Sequence, residues 1–313
     1  MLLNKNYFKG WYFKCSSRDK TIAFIPAYHR NNKQETASLQ IITDDAAYNI
    51  PFDYLQYQES PLSVRIGNCI FSENGIKLNI DTQELNIYGV LKFNNLYHAK
   101  YDIMGPFRFV PLMQCRHSVQ SVRHQIDGQI IINGQKYLFN KGVGYIEGDR
   151  GRSFPNHYIW TQCCFKNGSL MLSIANIPMM GFHFTGIIGF VLIGGKEYRI
   201  ATYLGAKVKH IGKNSVTVKQ GNFQLTAKLT EKNAHPLLLL TMVKCQEQFT
   251  KVLHVNHIIS SLIKIKFYVN LQVTVQVLNL NINNQVTNPP SPRKENFNFT
   301  RNTVYSYIIY SMV

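Results

Sequence analysis

The chain has 313 residues, of which 45% are hydrophobic and 12% aromatic, so it is long enough to bury a large core. Its formal net charge is +17, but the lysines and arginines are scattered along the chain. Because a nucleic-acid partner needs basic residues clustered on one element, we expect no nucleic-acid partner. Peripheral contact with an anionic membrane surface is compatible with this charge.

The cysteines are few and widely spaced, which is typical of reduced, mostly buried thiols. They are Cys15, Cys69, Cys115, Cys163, Cys164 and Cys245. No Cys/His spacing suits a metal ion, and no glycine-rich loop precedes a helix, so we expect neither a metal nor a cofactor. Without a signal peptide or an apolar run of about 18 residues, the expected location is the cytoplasm.

The first third of the chain has the period-two alternation of β-strands. Tyr7 to Ser16 alternates aromatic and polar residues and is predicted to be an edge strand. Short strands follow at regular spacing, for example Gly75 to Asp81, where Ile76, Leu78 and Ile80 share one face. With no convincing amphipathic helix here, the pattern predicts an all-β barrel or sandwich.

The segment from Met104 to Met113 interrupts this pattern, because it is apolar apart from Arg108 and contains two prolines. It is either a buried connection between domains or an apolar flap over a pocket. A second series of strands follows, with hairpin turns predicted at Asn133-Gly134, Asn167-Gly168 and Gly194-Gly195.

The stretch from Gly142 to Gln162 concentrates the polar chemistry of the chain. Glu147, Asp149 and Arg150 lie on a glycine-rich connection that leads into an aromatic strand. Two interpretations stay open: an ion-paired β-turn that joins two strands, or a polar group of side chains at the edge of an apolar pocket.

Three segments resemble the tocopherol cyclase family, and together the matching blocks span roughly Tyr7 to Pro236. The segments are YFKGWYFK from Tyr7, MGPFRFVPLMQCRHSVQSVRH from Met104 and GYIEGDRGRSFPNHYIWTQC from Gly144. Plant members carry Asn-Trp where this chain has Asp149-Arg150. The resemblance implies two consecutive lipocalin-like antiparallel β-barrels or sandwiches, in residues 1–103 and 104–237, with the signature loop at 142–162 in the second.

The activity implied by this resemblance is closure of a chromanol ring on a prenylated hydroquinone. That reaction needs a proton donor and a pocket that excludes water. Glu147 and Asp149 are the candidate catalytic acids, since a two-residue spacing places both on one face of a strand. Arg150 and Arg152 would favour the ionised form of both acids. The candidate ligand-binding residues are Trp11, Arg116, His117, Arg150, Ser153, Trp160 and Gln162.

Three functions stay open at this point, and no oligomeric state is predicted. The chain could bind an apolar isoprenoid or prenyl-quinol-like molecule without turnover, catalyse an acid-dependent cyclisation or hydration, or serve as a structural relative without a ligand. Aromatic residues around Phe107, Phe109, Trp160 and Phe182 favour an apolar ligand, although aromatic residues also fill barrels.

The last quarter of the sequence differs in character from the rest. After Leu237 the sequence contains no aspartate and is rich in asparagine. Back-translation in a shifted frame permits segments that resemble the end of the family's barrel. We therefore predict a frameshift near 236–240, an out-of-frame and poorly ordered tail over 238–313, and an incomplete second barrel with open strand edges.

Overall fold

The computed structural model describes most of the chain up to residue 237 and three short segments beyond it. The described ranges are 6–31, 34–111, 113–155, 157–165, 167–179, 182–212, 215–229, 234–237, 249–252, 271–277 and 305–310. In these ranges the regular structure is β-strand, apart from 3-10 turns at Tyr54–Gln56, Gly105–Phe109 and Thr202–Leu204. The prediction of an all-β chain is confirmed.

An antiparallel sheet of eleven strands forms the first barrel. Its strands are β1 (Tyr7–Ser16), β2 (Thr21–Asn31), β3 (Gln34–Ile42), β4 (Ala47–Phe52), β5 (Tyr57–Ser60), β6 (Ser63–Ile66), β7 (Cys69–Ser72), β8 (Gly75–Asp81), β9 (Asn86–Tyr97), β10 (Cys115–Ile132) and β11 (Gln135–Gly151). The strand order is β4-β3-β2-β1-β11-β10-β9-β8-β7-β6-β5. The sheet curls until β3 approaches β6, so the barrel is nearly closed.

Strand β1 lies in the middle of this sheet, between β2 and β11, so the prediction of an edge strand is wrong. Trp11 and Phe13 point into the barrel core, while Tyr12 lies in a second core outside the barrel. Because both faces of β1 are covered, its polar positions are buried as well, and Lys14 is only 1% exposed.

A second sheet packs against the outside of the barrel, and a third sheet packs against the second. The second contains β12 (Tyr158–Phe165), β13 (Gly168–Met179), β14 (Phe182–Ile193) and β15 (Lys196–Ala201), and the third contains β16 (Lys207–Gly212), β17 (Ser215–Gln220) and β18 (Phe223–Leu229). Four strands from later in the chain complete these sheets. The second sheet also contains β19 (Ala234–Leu237), β20 (Phe249–Val252) and β22 (Tyr305–Tyr310), and the third also contains β21 (Leu271–Val277).

The chain passes from the first sheet to the second between Gly151 and Tyr158. The predicted domain boundary between residues 103 and 104 instead falls within the first sheet, because β10 pairs with β9 and β11 pairs with β1. The predicted frameshift and out-of-frame tail concern residues that lie largely outside the described ranges, and they stay predictions.

Three hydrophobic cores hold the layers together. One fills the first barrel, one lies between the barrel and the second sheet, and one lies between the second and third sheets. The hairpin between β10 and β11 turns at Asn133 and Gly134, whose φ angles are 47° and 80°. Positive φ at both positions is what the Asn-Gly pair predicts for a two-residue turn.

The five cysteines in the described part of the chain are all free thiols. None of the described helical segments has the length and hydropathy to span a bilayer.

Candidate functional site

A largely apolar cavity of about 150 Å³ lies between the outer face of the first barrel and the second sheet. Its walls come from β1, β2 and β3 on one side and from β13 and β14 on the other. The 3-10 turn at Gly105–Phe109 and the segment around Pro155 cover it. Its apolar lining includes Tyr12, Ile25, Met104, Phe107, Met113, Phe154, Tyr158, Trp160, Ile177, Phe184 and Ile188.

Two carboxyl groups and a histidine form the polar wall of this cavity. His117 Nδ1 lies 2.9 Å from Asp149 Oδ1, and His117 Nε2 lies 3.3 Å from Glu147 Oε2. The contact with Asp149 is a hydrogen bond, whereas the contact with Glu147 has the distance of an ion pair without hydrogen-bond alignment. The imidazole therefore bridges both acids.

The protonated form of His117 is stabilised by this arrangement. Burial is the largest single influence and favours the neutral ring, but the negative charges of Asp149 and Glu147 together outweigh it. They raise the pKa of His117 from 6.5 to about 10. At neutral pH the site therefore contains an imidazolium between two acids, in a place where water is largely excluded.

Glu147 also accepts two hydrogen bonds from aromatic side chains. Tyr145 Oη lies 2.8 Å and Trp160 Nε1 lies 3.2 Å from Glu147 Oε2. Burial and the charge of Glu147 raise the pKa of the Tyr145 phenol well above its usual value, so this hydroxyl remains a donor. Burial, followed by the charge of Asp149, likewise raises the pKa of the Cys115 thiol, which donates to Asp149 Oδ1 at 3.5 Å.

The pairing register of β10 and β11 brings these side chains together. His117 on β10 lies directly opposite Asp149 on β11, and residues directly opposite each other project from the same face of a sheet. Glu147 is two residues before Asp149 and shares that face, as predicted from the spacing. Tyr12 on β1 lies opposite Glu147, and Gly10, which has no side chain, lies opposite Asp149.

Of the predicted site residues, Glu147, Asp149, His117 and Trp160 meet at this cavity. Trp11 borders it, but its indole belongs to the barrel core and donates to Glu59 at 2.9 Å.

Four other predicted ligand-binding residues lie elsewhere. Arg116 and Arg150 lie directly opposite each other on the other face of the sheet and line a different cavity. Ser153 lines neither cavity. Gln162 is fully buried and accepts a hydrogen bond from Lys14 Nζ at 3.1 Å, because its strand position faces the core between the barrel and the second sheet.

The segment from Met104 to Met113 covers the cavity, in agreement with the flap interpretation. Met104, Phe107 and Met113 line the cavity, whereas Phe109 is 75% exposed. Phe182, also considered from the sequence, is 52% exposed at the start of β14 and does not contribute.

Sequence analysis did not identify Tyr145 or Cys115. Tyr145 could have been found, since it precedes Glu147 by two residues and so shares its face of β11. Cys115 shares the face of His117 for the same reason. Across the residues that the structure describes, no three His, Cys, Asp or Glu side chains meet in an arrangement that would hold a metal ion.

No protein-family model matches the sequence, and no curated protein matches it. Among solved structures, the chain is similar to CghA crystallised with Sch210972, with a TM-score of 0.59, 8% sequence identity, and coverage of 97% of this chain and 88% of CghA. Kievitone hydratase from Nectria haematococca matches with a TM-score of 0.49 and 8% identity, over 99% of this chain and 90% of the hydratase. The comparison with CghA shows that the chain has the same lipocalin-like β-barrel fold.

Proposed function

We propose that this protein binds an apolar small molecule with a hydroxyl-bearing ring, isoprenoid or prenyl-quinol-like, in the cavity between the barrel and the second sheet. The observation that carries the proposal is the protonated His117 held between Glu147 and Asp149 on one wall of an otherwise apolar cavity. In an apolar pocket, a small number of polar groups fixes the orientation of the ligand, while the apolar walls supply most of the binding affinity.

The dimensions of the cavity support a ring as the part of the ligand that is bound. A cavity of about 150 Å³ lined by apolar side chains accommodates a molecule such as benzene. The cavity therefore has room for one ring, and a prenyl tail would extend out of it. A ring hydroxyl can donate to the acids or accept from the imidazolium.

A second candidate function is tocopherol cyclase-like acid catalysis on the same ligand, as the resemblance of residues 144–163 implies. The observation that favours it is the imidazolium of His117, which stores a proton beside the cavity and both acids. In this proposal, a proton passes from His117 to Glu147 and from the Glu147 carboxyl to the alkene carbon. The ring hydroxyl oxygen then forms the C–O bond, and its proton returns to the site, so that the charges balance.

CghA, a protein with the same fold, was crystallised with Sch210972. At 8% identity that similarity concerns the fold alone.

Titration with a short-chain prenyl hydroquinone tests the binding proposal. Both tryptophans, Trp11 and Trp160, line the cavity, so intrinsic fluorescence reports on its occupancy, and Trp160→Phe separates the signals of the two. We expect saturable quenching that is weakened at least tenfold in Ala175→Phe, because this residue on β13 lines the cavity and the larger, weakly fluorescent side chain fills it. Absence of saturable binding to the folded wild-type chain would overturn the proposal.

Product analysis then separates binding from catalysis. In the catalytic alternative, Glu147→Gln retains binding of the hydroquinone and loses chromanol formation, while the exposed control Glu84→Gln retains both. Binding by the wild-type chain without any chromanol would leave the binding function and eliminate the cyclase.

A further inference from the structure

A second cavity, of about 620 Å³, lies at the end of the first barrel and differs in character from the site described above. It lies where β1 begins and β11 ends, next to the turn around Ser60 and Pro61. Met104 and Arg108 cover one side of it. Its lining is rich in charged side chains, whereas that of the first cavity is mostly apolar.

Three cationic side chains form a row across the strands that border this cavity. Lys9 on β1 pairs directly with Arg150 on β11, and Arg150 pairs directly with Arg116 on β10. Directly opposed residues project from the same face of a sheet, and all three line the cavity. Like charges directly opposite each other destabilise a sheet, so this row needs a compensating negative charge.

The acids of the cavity do not supply that charge to the arginines, since each has another partner. Glu59 pairs with Lys9 at 2.6 Å, and Asp102 pairs with Arg108 at 3.5 Å. The third acid, Asp149, bonds to His117 on the opposite face of the sheet.

The two arginines of the row are consequently left with no carboxylate partner anywhere in the part of the chain that the structure describes. Arg116 donates to the backbone carbonyl of Arg108 at 2.8 Å, which orients its guanidinium beside the turn at Gly105–Phe109. Arg150 is exposed to the cavity and its entrance.

We propose that Arg116 and Arg150 form a binding site for the anionic group of a small molecule, a carboxylate or a phosphate, at the end of the first barrel. Planar guanidinium groups bind both kinds of oxyanion in a bidentate manner. The cavity is large enough for an organic group attached to the anion.

The two cavities adjoin and share lining residues that include His117 and Asp149, but Arg116 and Arg150 line only the second, so this proposal does not need a ligand in the first. The guanidinium groups and the acids Glu147 and Asp149 lie on opposite faces of the same strands.

Binding of inorganic diphosphate and of hexanoate to the full chain, measured by calorimetry at low ionic strength, tests the site. We expect saturable binding of at least one probe, and the preferred probe distinguishes phosphate from carboxylate ligands. Arg150→Gln should weaken that binding at least tenfold. The matched control is Arg65→Gln, since Arg65 is an exposed arginine on β6 of the same sheet and does not line the cavity.

The stability of the ligand-free chain gives a second readout that a purely structural arginine would not produce. Because Arg150 faces like charges, Arg150→Gln should leave the urea midpoint of the free chain unchanged or raised. Failure of both probes to bind, equal binding by wild type and Arg150→Gln, or a lowered midpoint of the free variant would each overturn the proposal.

Discussion

The bridging histidine makes the stability of this protein depend on pH in a direction that can be measured. The pKa of His117 is about 10 in the folded chain and 6.5 as the reference value. A raised folded-state pKa means that the stabilisation is fully present below about pH 6.5 and is lost as the pH rises towards 10. One pKa unit corresponds to about 1.4 kcal/mol. The whole interval is therefore worth on the order of 5 kcal/mol, and the part between pH 6.5 and 8 about 2 kcal/mol.

The measurement is urea unfolding of the wild-type chain and of His117→Gln at several pH values from 6 to 9. Subtracting the variant from the wild type cancels the titration of lysines, tyrosines and other groups common to both. We expect the difference in unfolding free energy to fall by about 2 kcal/mol from pH 6.5 to 8, with unchanged m values. A difference that stays constant over this range would refute the assignment of a bound proton to His117.

Three further predictions concern the groups around the site. Tyr145→Phe removes a hydrogen bond to the buried Glu147 carboxyl and should cost about 1.5–3 kcal/mol in urea unfolding. The control Tyr137→Phe, which loses a bond to the neutral Gln135, should cost about 0.5–1.5 kcal/mol. Gly144→Ala would place a methyl group on the His124 ring and should lower the free energy of unfolding by about 1–3 kcal/mol. The control Gly148→Ala meets no such contact and should cost less. Equal unfolding midpoints for the two variants would contradict this packing argument. Burial, followed by the charge of Arg123, lowers the pKa of His124 to about 3, so stability falls as the pH drops below 6.5. His124→Phe should flatten that acid limb in thermal unfolding between pH 6 and 4, and an unchanged limb would show that other groups produce it.

Much of the strand arrangement could be predicted from local patterns. Period-two alternation located strands such as Gly75–Asp81, and Asn133-Gly134 located a hairpin, because both signals depend on neighbours in the chain. The central position of β1 could not be predicted in this way. Its partner β11 is distant in sequence, and both of its faces are covered by elements that only the folded chain supplies.

The candidate site shows the same division. From sequence alone, the two-residue spacing of Glu147 and Asp149 predicted that a strand would present both acids on one face. The aromatic strand that follows them in the chain predicted that Trp160 would lie near the acids. The tertiary structure decided which cationic side chain contacts those acids. Arg150 is adjacent to Asp149 in the chain, yet alternation turns it to the opposite face. His117 comes from another strand, and the register of β10 against β11 places it between the acids. Sequence neighbours in a strand are separated by the sheet, whereas cross-strand neighbours share a face, so the register decides which charges meet.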